Sequence, residues 1–84
     1  MTYTIEIEPK AEKELAKLPK RDHDRILVGL AALSNNPYTG KKLRGKHESY
    51  YSMRVWPYRI IYKIFNKQLF VVVIRIAQRE SAYS

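Results

Sequence analysis

The chain has 84 residues, no cysteine and a formal net charge of +8 at pH 7. This length is enough for one domain with a thin core, and the lack of cysteine excludes disulfides and thiolate metal sites. The longest apolar run spans residues 69–74, whereas a membrane helix needs roughly 20 apolar residues. No signal peptide is visible at the N-terminus, so we expect a cytoplasmic protein with one domain over residues 1–84 and no membrane partner.

The basic charge is confined to the second part of the chain. Residues 1–34 contain six Lys or Arg and six Asp or Glu, which cancel. Residues 35–84 contain ten Lys or Arg but only two acids, Glu48 and Glu80. Such an excess predicts a polyanionic partner, and nucleic acid is the first candidate.

The first part of the chain predicts a strand and two helices. Alternation over residues 2–8 indicates a half-buried strand. Pro9 suits the first turn of a helix, and Pro19 ends that helix. A second helix is predicted from about Lys20 to Ser34, with an apolar stripe of Ile26, Leu27, Leu30 and Leu33. The short connection predicts an antiparallel helical hairpin.

The second part of the chain predicts a loop and three strands. Residues 38–49 contain two glycines and four basic residues, which is typical of an exposed loop. Strands are predicted at about 50–56, 58–65 and 68–77, and the short links at Pro57 and at residues 66–67 imply an antiparallel meander. An N-terminal strand, a helical hairpin and a three-stranded meander together predict an α+β fold.

The alternation of strand side chains assigns the arginines to the sheet face away from the helices. The predicted cluster consists of Arg54, Arg59, Arg75 and Arg79. On the same pattern, the residues of the last strand that face the helices are Phe70, Val72, Ile74 and Ile76. Near the cluster in sequence, only Glu48 and Glu80 could neutralise it. Because guanidinium groups suit bidentate phosphate contacts, we favour a phosphate site over a merely solvated face.

Further basic side chains are candidates for gripping the phosphates of a nucleic acid. They are Lys41, Lys42, Arg44 and Lys46 in the predicted loop, together with Arg75. Trp56 precedes Pro57, and we expect it to pack within the turn between two strands.

The last strands carry motifs typical of one toxin superfamily. The run YYSMRVWPYRIIYKI, preceded by KLRGKHES and followed by VVVIRIAQRESAY, resembles the RelE/ParE superfamily of toxin–antitoxin toxins. Members have an Arg-containing strand, a tight turn, a Tyr-Arg strand, and an apolar strand that ends near an arginine and a later tyrosine. The order of elements matches over nearly the whole chain, so the resemblance implies a RelE-like fold.

The resemblance also implies an activity. RelE-like members are ribosome-dependent endoribonucleases that cut mRNA in the A site and inhibit translation, whereas ParE-like members inhibit DNA gyrase. By position, Arg59 would stabilise the transition state, and Arg79 would stabilise charge and protonate the leaving group. Tyr83 would orient the scissile nucleotide, and Arg54, at a position that is basic in relatives, completes the predicted catalytic set. Lys41, Lys42, Arg44, Lys46 and Arg75 would bind RNA or the ribosome. The implied partners are a cognate antitoxin, the ribosome and mRNA, and no cofactor or metal is expected.

Two positions depart from the family pattern. Ser52 stands where relatives have a lysine proposed as general base, and Gln78 stands where many have His or Lys. The candidates for the base stay open, and they are Lys46, His47, Glu48 and Tyr83. From the resemblance as a whole we expect a metal-independent endoribonuclease. A ParE-like gyrase inhibitor and a nonenzymatic RNA-binding domain are the alternatives.

Overall fold

Two helices cover one face of a five-stranded sheet in the computed structural model, which describes residues 2–43 and 49–78. The elements in chain order are β1 (Thr4–Ile7), α1 (Pro9–Ala16), α2 (Lys20–Asn35), a 3-10 turn (Pro37–Thr39), β2 (Lys41–Lys42), β3 (Tyr51–Val55), β4 (Tyr58–Phe65) and β5 (Phe70–Gln78). No helix within these described ranges is long and apolar enough to cross a membrane.

The sheet order is β1-β5-β4-β3-β2. The predicted α+β class and the antiparallel meander of β3, β4 and β5 are confirmed. β1 joins the sheet beside β5 in parallel orientation, after a crossover through the helices. Residues 41–42, predicted as loop, form the short strand β2 instead, paired with Tyr51 and Ser52. Two residues are too few to show alternation, so sequence periodicity could not reveal this strand.

The helices form where the apolar spacing predicts them. Pro9 opens α1, and Ala11 and Leu15 are buried on its inner face. In α2 the buried stripe is Ile26, Gly29, Leu30 and Leu33. Leu27 was expected in this stripe but is 44% exposed, because it lies one residue beyond the face that meets the sheet.

The core lies between the helices and the inner face of the sheet. Its fully buried large side chains include Tyr62, Ile26, Leu33, Ile60, Ile76, Val71 and Val73. Each such side chain contributes about 1.5–3 kcal/mol through burial. A core of this size is thin but continuous, and it anchors β4 and β5 against both helices.

A β-bulge changes the side-chain pattern of β5. Ile61 pairs with Arg75 but the next residue, Tyr62, pairs with Val73, so one extra residue lies on β5. Before the bulge, Val71 and Val73 are the residues buried toward the helices. The prediction that Phe70, Val72 and Ile74 face the helices is therefore wrong, whereas Ile76 does lie in the core.

Candidate functional site

Arg54 and Arg59 lie directly opposite one another on β3 and β4. Arg59 stands between Tyr58 and Ile60, both of which are buried in the core, so its side chain emerges on the sheet face away from the helices. Cross-strand partners share a face, and like charges placed opposite one another repel. The fold therefore concentrates positive charge at this point, as an anion-binding site requires.

The two arginines border a cleft of about 400 Å³. Its lining consists of Thr39, Gly40, Lys41, Ser52, Met53, Arg54 and Arg59. Lys41 pairs with Ser52, so this lysine shares the face of the arginines. Lys42 pairs with Tyr51 and therefore lies on the opposite face of the sheet. The cleft thus combines three cationic side chains with two hydroxyl side chains, and this set suits phosphate.

Ser52 contacts the guanidinium of Arg59. Its side chain is 3% exposed, and its Oγ accepts a hydrogen bond from Arg59 Nη1 at 3.3 Å. Beside it, Ile61 and Ala77 form a small apolar cluster on the same face, with Leu43 and Tyr50 packed against it. Ser52 and this cluster restrict the rotamers that Arg59 can adopt.

Arg75 does not join the arginine pair. Its Nε lies 2.9 Å from Glu14 Oε2 in α1, and its side chain is 15% exposed. The acid that neutralises Arg75 is Glu14, which lies 61 residues away in sequence and so is not among the acids near the predicted cluster in sequence. This ion pair fits a role of Arg75 in support of the sheet better than the predicted binding of phosphate.

Glu14 is a residue that the sequence did not single out. Its second oxygen, Oε1, accepts a hydrogen bond from the backbone N–H of Ile76 at 2.8 Å. β1 ends at Ile7, opposite Val73, so residues 74–78 of β5 extend beyond the end of β1. Only the tertiary fold brings α1 to this open edge, and no local pattern around Glu14 indicates it.

Tyr62 and Gly40 set the position of the residues that lead into β2. The buried Tyr62 hydroxyl donates to the Pro37 carbonyl at 2.6 Å. Burial raises the pKa of Tyr62 to about 12, with a smaller opposing effect from the Gly40 N–H. A Cβ at Gly40 would overlap this hydroxyl and lie 2.9 Å from the Ser52 carbonyl oxygen. The close approach of backbone to β3 therefore requires glycine, and it places Lys41 at the cleft.

Trp56 is not packed in its turn as expected, since 56% of it is exposed. It lines a second cleft of about 370 Å³ together with Arg25, Val28, Gly29, Arg54 and Val55. Pro57 follows it through a cis peptide bond.

The other candidate residues lie outside the described part of the chain. Arg44 and Lys46 fall within residues 44–48, and Arg79 and Tyr83 fall within residues 79–84. Three candidates for the general base, Lys46, His47 and Glu48, also fall within residues 44–48. Their roles remain predictions. Within residues 2–43 and 49–78, no group of three His, Asp or Glu side chains could hold a metal ion.

Comparisons with known proteins agree with this architecture. The family model of the ParE toxin of type II toxin–antitoxin systems matches residues 5–83. Toxin RelG of Mycobacterium tuberculosis is 32% identical over 85 residues, which cover 99% of this chain and 98% of the relative. The putative toxin RelE1 of Methanocaldococcus jannaschii is 26% identical over 88 residues, which cover 99% and 97%.

Solved structures share the fold closely. The toxin–antitoxin complex RelBE2 of M. tuberculosis contains a chain with a TM-score of 0.84 and 33% identity, and the match covers 94% of this chain and 100% of that one. The archaeal RelE–RelB complex of Pyrococcus horikoshii gives a TM-score of 0.82 and 28% identity, with coverage of 98% and 100%. The chain therefore belongs to the RelE/ParE superfamily and is a RelE-like toxin of a toxin–antitoxin system.

Proposed function

We propose that this toxin is a ribosome-dependent endoribonuclease that cuts mRNA in the A site in the cytoplasm and so inhibits translation. The observation that carries the proposal is the register pair of Arg54 and Arg59 at a cleft that Lys41 also lines. Two guanidinium groups on adjacent strands, opposite one another in register, give a cationic site that suits phosphate. A rigid strand scaffold suits catalysis because the donors need no reorganisation during the reaction.

The proposed reaction is attack of a ribose 2′-oxygen on the adjacent phosphorus. A base takes the 2′-hydroxyl proton, the P–O5′ bond breaks, and the 5′-oxygen leaves with a proton from an acid. The products are a 2′,3′-cyclic phosphate and a 5′-hydroxyl. Negative charge grows on the phosphoryl oxygens in the transition state, where Arg59 would stabilise it, and loss of one such donor costs on the order of 10²–10³ in rate. Arg79 would protonate the leaving oxygen, and Tyr83 would orient the nucleotide.

Ser52 is a poor candidate for the base. Its buried hydroxyl already accepts a hydrogen bond from Arg59, and a serine hydroxyl does not take up a proton near neutral pH. We assign Ser52 to holding the Arg59 guanidinium and leave the base among residues 46–48 and Tyr83.

We further propose a cognate antitoxin as partner. The related chains from M. tuberculosis and P. horikoshii were solved as toxin–antitoxin complexes. A chain with a net charge of +8 would attract an acidic segment, and such a segment over Arg54 and Arg59 would exclude RNA.

The second candidate function is inhibition of DNA gyrase without nuclease activity. It is favoured by the family model, which describes the ParE toxin and matches residues 5–83. A gyrase inhibitor needs binding alone, whereas paired cationic side chains at a cleft suit a phosphoryl transition state, so the first proposal is preferred.

The deciding experiment adds the purified protein to a translating extract and maps the ends of the mRNA, with and without ribosomes. We expect cuts within codons that require ribosomes, and a loss of roughly 10²–10³ in cleavage rate for Arg59→Ala. Arg79→Ala should also lose cleavage. Lys67→Ala is the matched control, because Lys67 is an exposed cation in the β4–β5 turn, away from the cleft. Intact mRNA together with blocked gyrase supercoiling would replace the first proposal with the second.

A further inference from the structure

Trp56 exposes a large apolar surface next to the arginine cleft. It is 56% exposed in the turn between β3 and β4, and Val28 of α2, which lines the same cleft, is 71% exposed. Two exposed apolar side chains that line one cleft offer a ligand an apolar surface.

The surroundings of Trp56 are cationic. Arg25 and Arg54 are the charged residues among the described lining of the cleft, which contains no carboxylate. Arg25 Nη1 lies 3.8 Å from Asp22 Oδ1, at the limit of an ion pair. No ion pair involves Arg54 in the described part of the chain. An indole flanked by two guanidinium groups suits an anionic ligand that also has an aromatic surface.

The Trp56 cleft adjoins the proposed catalytic cleft at Arg54, which lines both. β2 pairs only with Tyr51 and Ser52, so Arg54 lies at an open edge of the sheet, beyond the last pair of that short strand. A strand of RNA whose scissile phosphate lies at Arg59 would therefore pass Arg54 and reach Trp56 with a neighbouring nucleotide.

We propose that Trp56, Arg25 and Arg54 form a binding site for one unpaired nucleotide of the RNA substrate. The base stacks on the indole of Trp56, and its phosphate contacts Arg54. This inference rests on the proposed ribonuclease function and extends it, because it assigns a place for a nucleotide beside the one that is cut.

Single-stranded RNA fits this site better than an acidic peptide does. Stacking on an aromatic ring next to a cationic groove is the general mode of binding to single-stranded nucleic acid. A carboxylate side chain would pair with Arg25 or Arg54 but would leave the exposed indole without a matching aromatic surface. The position of Arg54, which lines both clefts and lies opposite Arg59, also favours a polymer of phosphates.

The chain carries its own reporter, since Trp56 is its one tryptophan. Titration of the free toxin with a short oligoadenylate at low salt should quench the tryptophan emission. Anisotropy of the same oligonucleotide carrying a fluorescent label should show that Trp56→Ala weakens binding roughly 5- to 150-fold. Trp56→Phe retains a ring and should lose less. Phe65→Ala is the matched control, because Phe65 is 42% exposed at the far end of β4, and binding should not change.

The reporter can also be moved as a second control. The double variant Trp56→Phe, Phe65→Trp places the tryptophan away from the cleft, and oligoadenylate should not quench it. Circular dichroism and thermal melting of each variant test whether it is folded. If Trp56→Ala does not fold, Trp56→Phe still tests the proposal.

The proposal is overturned if oligoadenylate leaves the emission of Trp56 unchanged, or if Trp56→Ala binds RNA as the wild type does. Retained RNA affinity with weakened binding of the antitoxin would assign the surface to a peptide instead. Failure of the ribonuclease proposal is distinguishable, because mRNA would then stay intact in the extract while oligoadenylate still quenched Trp56. Cleavage in the extract without quenching would leave the enzyme standing and refute the stacking site.

Discussion

Glu14 gives the edge of β5 a hydrogen-bond acceptor, as a paired strand does elsewhere in the sheet. Its carboxylate accepts one hydrogen bond from the Ile76 N–H and another from Arg75. One side chain therefore satisfies a strand-edge donor and neutralises a largely buried guanidinium. Partly buried charges and donors that lose their acceptor are costly, so this residue carries more of the stability than an exposed acid does.

We predict that Glu14→Ala lowers the free energy of unfolding by about 1–3 kcal/mol, because Ile76 and Arg75 both lose an acceptor. Glu14→Gln keeps an oxygen for Ile76 and should lose less. Urea unfolding measures both values. Asp24→Ala is the control, since it removes an ion pair with Lys20 whose side chains are 89% and 56% exposed, and little change is expected. Equal losses in the two alanine variants would contradict the role of Glu14.

A second prediction at the residue scale concerns alkaline pH. The pKa of Tyr62 is about 12 in the folded protein, above the ordinary value of about 10 in the unfolded chain. The unfolded chain therefore loses this proton first. The contribution of Tyr62 is complete below about pH 10 and declines by about 2–3 kcal/mol as the pH rises to 12.

Tyr62→Phe isolates this contribution. It should be less stable than the wild type by about 1 kcal/mol at neutral pH, because the Pro37 carbonyl loses its donor. Between pH 10 and 12 its unfolding free energy should fall less steeply than that of the wild type. Parallel pH profiles from denaturant unfolding would show that Tyr62 does not titrate in this window.

At the scale of elements, the segment from the 3-10 turn to β2 forms one wall of the cleft. Gly40 allows this segment to lie against β3, within a distance that excludes a Cβ. The wall carries Thr39 and Lys41, while β3 and β4 carry Ser52, Arg54 and Arg59. The cleft therefore depends on backbone packing as much as on its charged side chains.

We predict that Gly40→Ala destabilises the fold by about 1–3 kcal/mol, because the added methyl meets the Tyr62 hydroxyl and the Ser52 backbone. It should also reduce RNA affinity by moving Lys41. Gly29→Ala is the matched control: its Cβ would lie 3.1 Å from a Val55 methyl, but alanine adds about 0.5–1 kcal/mol of helix preference in α2. Thermal or urea unfolding compares the two, and an equal effect would contradict the steric explanation.

At the scale of the whole molecule, the charge distribution predicts salt-dependent binding. The net charge of +8 attracts any single-stranded RNA, but only side chains that contact phosphate release counterions. For single strands, each such contact contributes about 0.7 to the slope of log affinity against log salt.

We therefore predict that Arg54→Gln reduces this slope by about 0.7, whereas Lys67→Gln, with the same change of net charge, leaves it unchanged. Anisotropy of labelled RNA over a salt series measures both slopes. A similar loss in both variants would mean that overall charge, and not the cleft, determines the affinity.

The local pattern of the sequence determined most of the helices and strands of this protein. Helices at residues 9–16 and 20–35 and the three meander strands were predicted because apolar spacing and prolines act over a few residues. The same alternation predicted that Arg54 and Arg59 share a face, since their strands pair without a bulge. The motifs around Arg59 were also specific enough to predict the superfamily.

Only the tertiary structure decided the rest. The bulge opposite Ile61 and Tyr62 reverses the alternation of β5, and no local signal shows where an extra residue will be accommodated. Glu14 meets Arg75 because α1 packs at the edge that β1 leaves open, so Arg75 is held by an ion pair and not at the cleft that Arg54 and Arg59 line. The exposure of Trp56 likewise depends on how α2 approaches β3. Residue periodicity is set by neighbours in sequence, whereas these contacts join segments that only folding brings together.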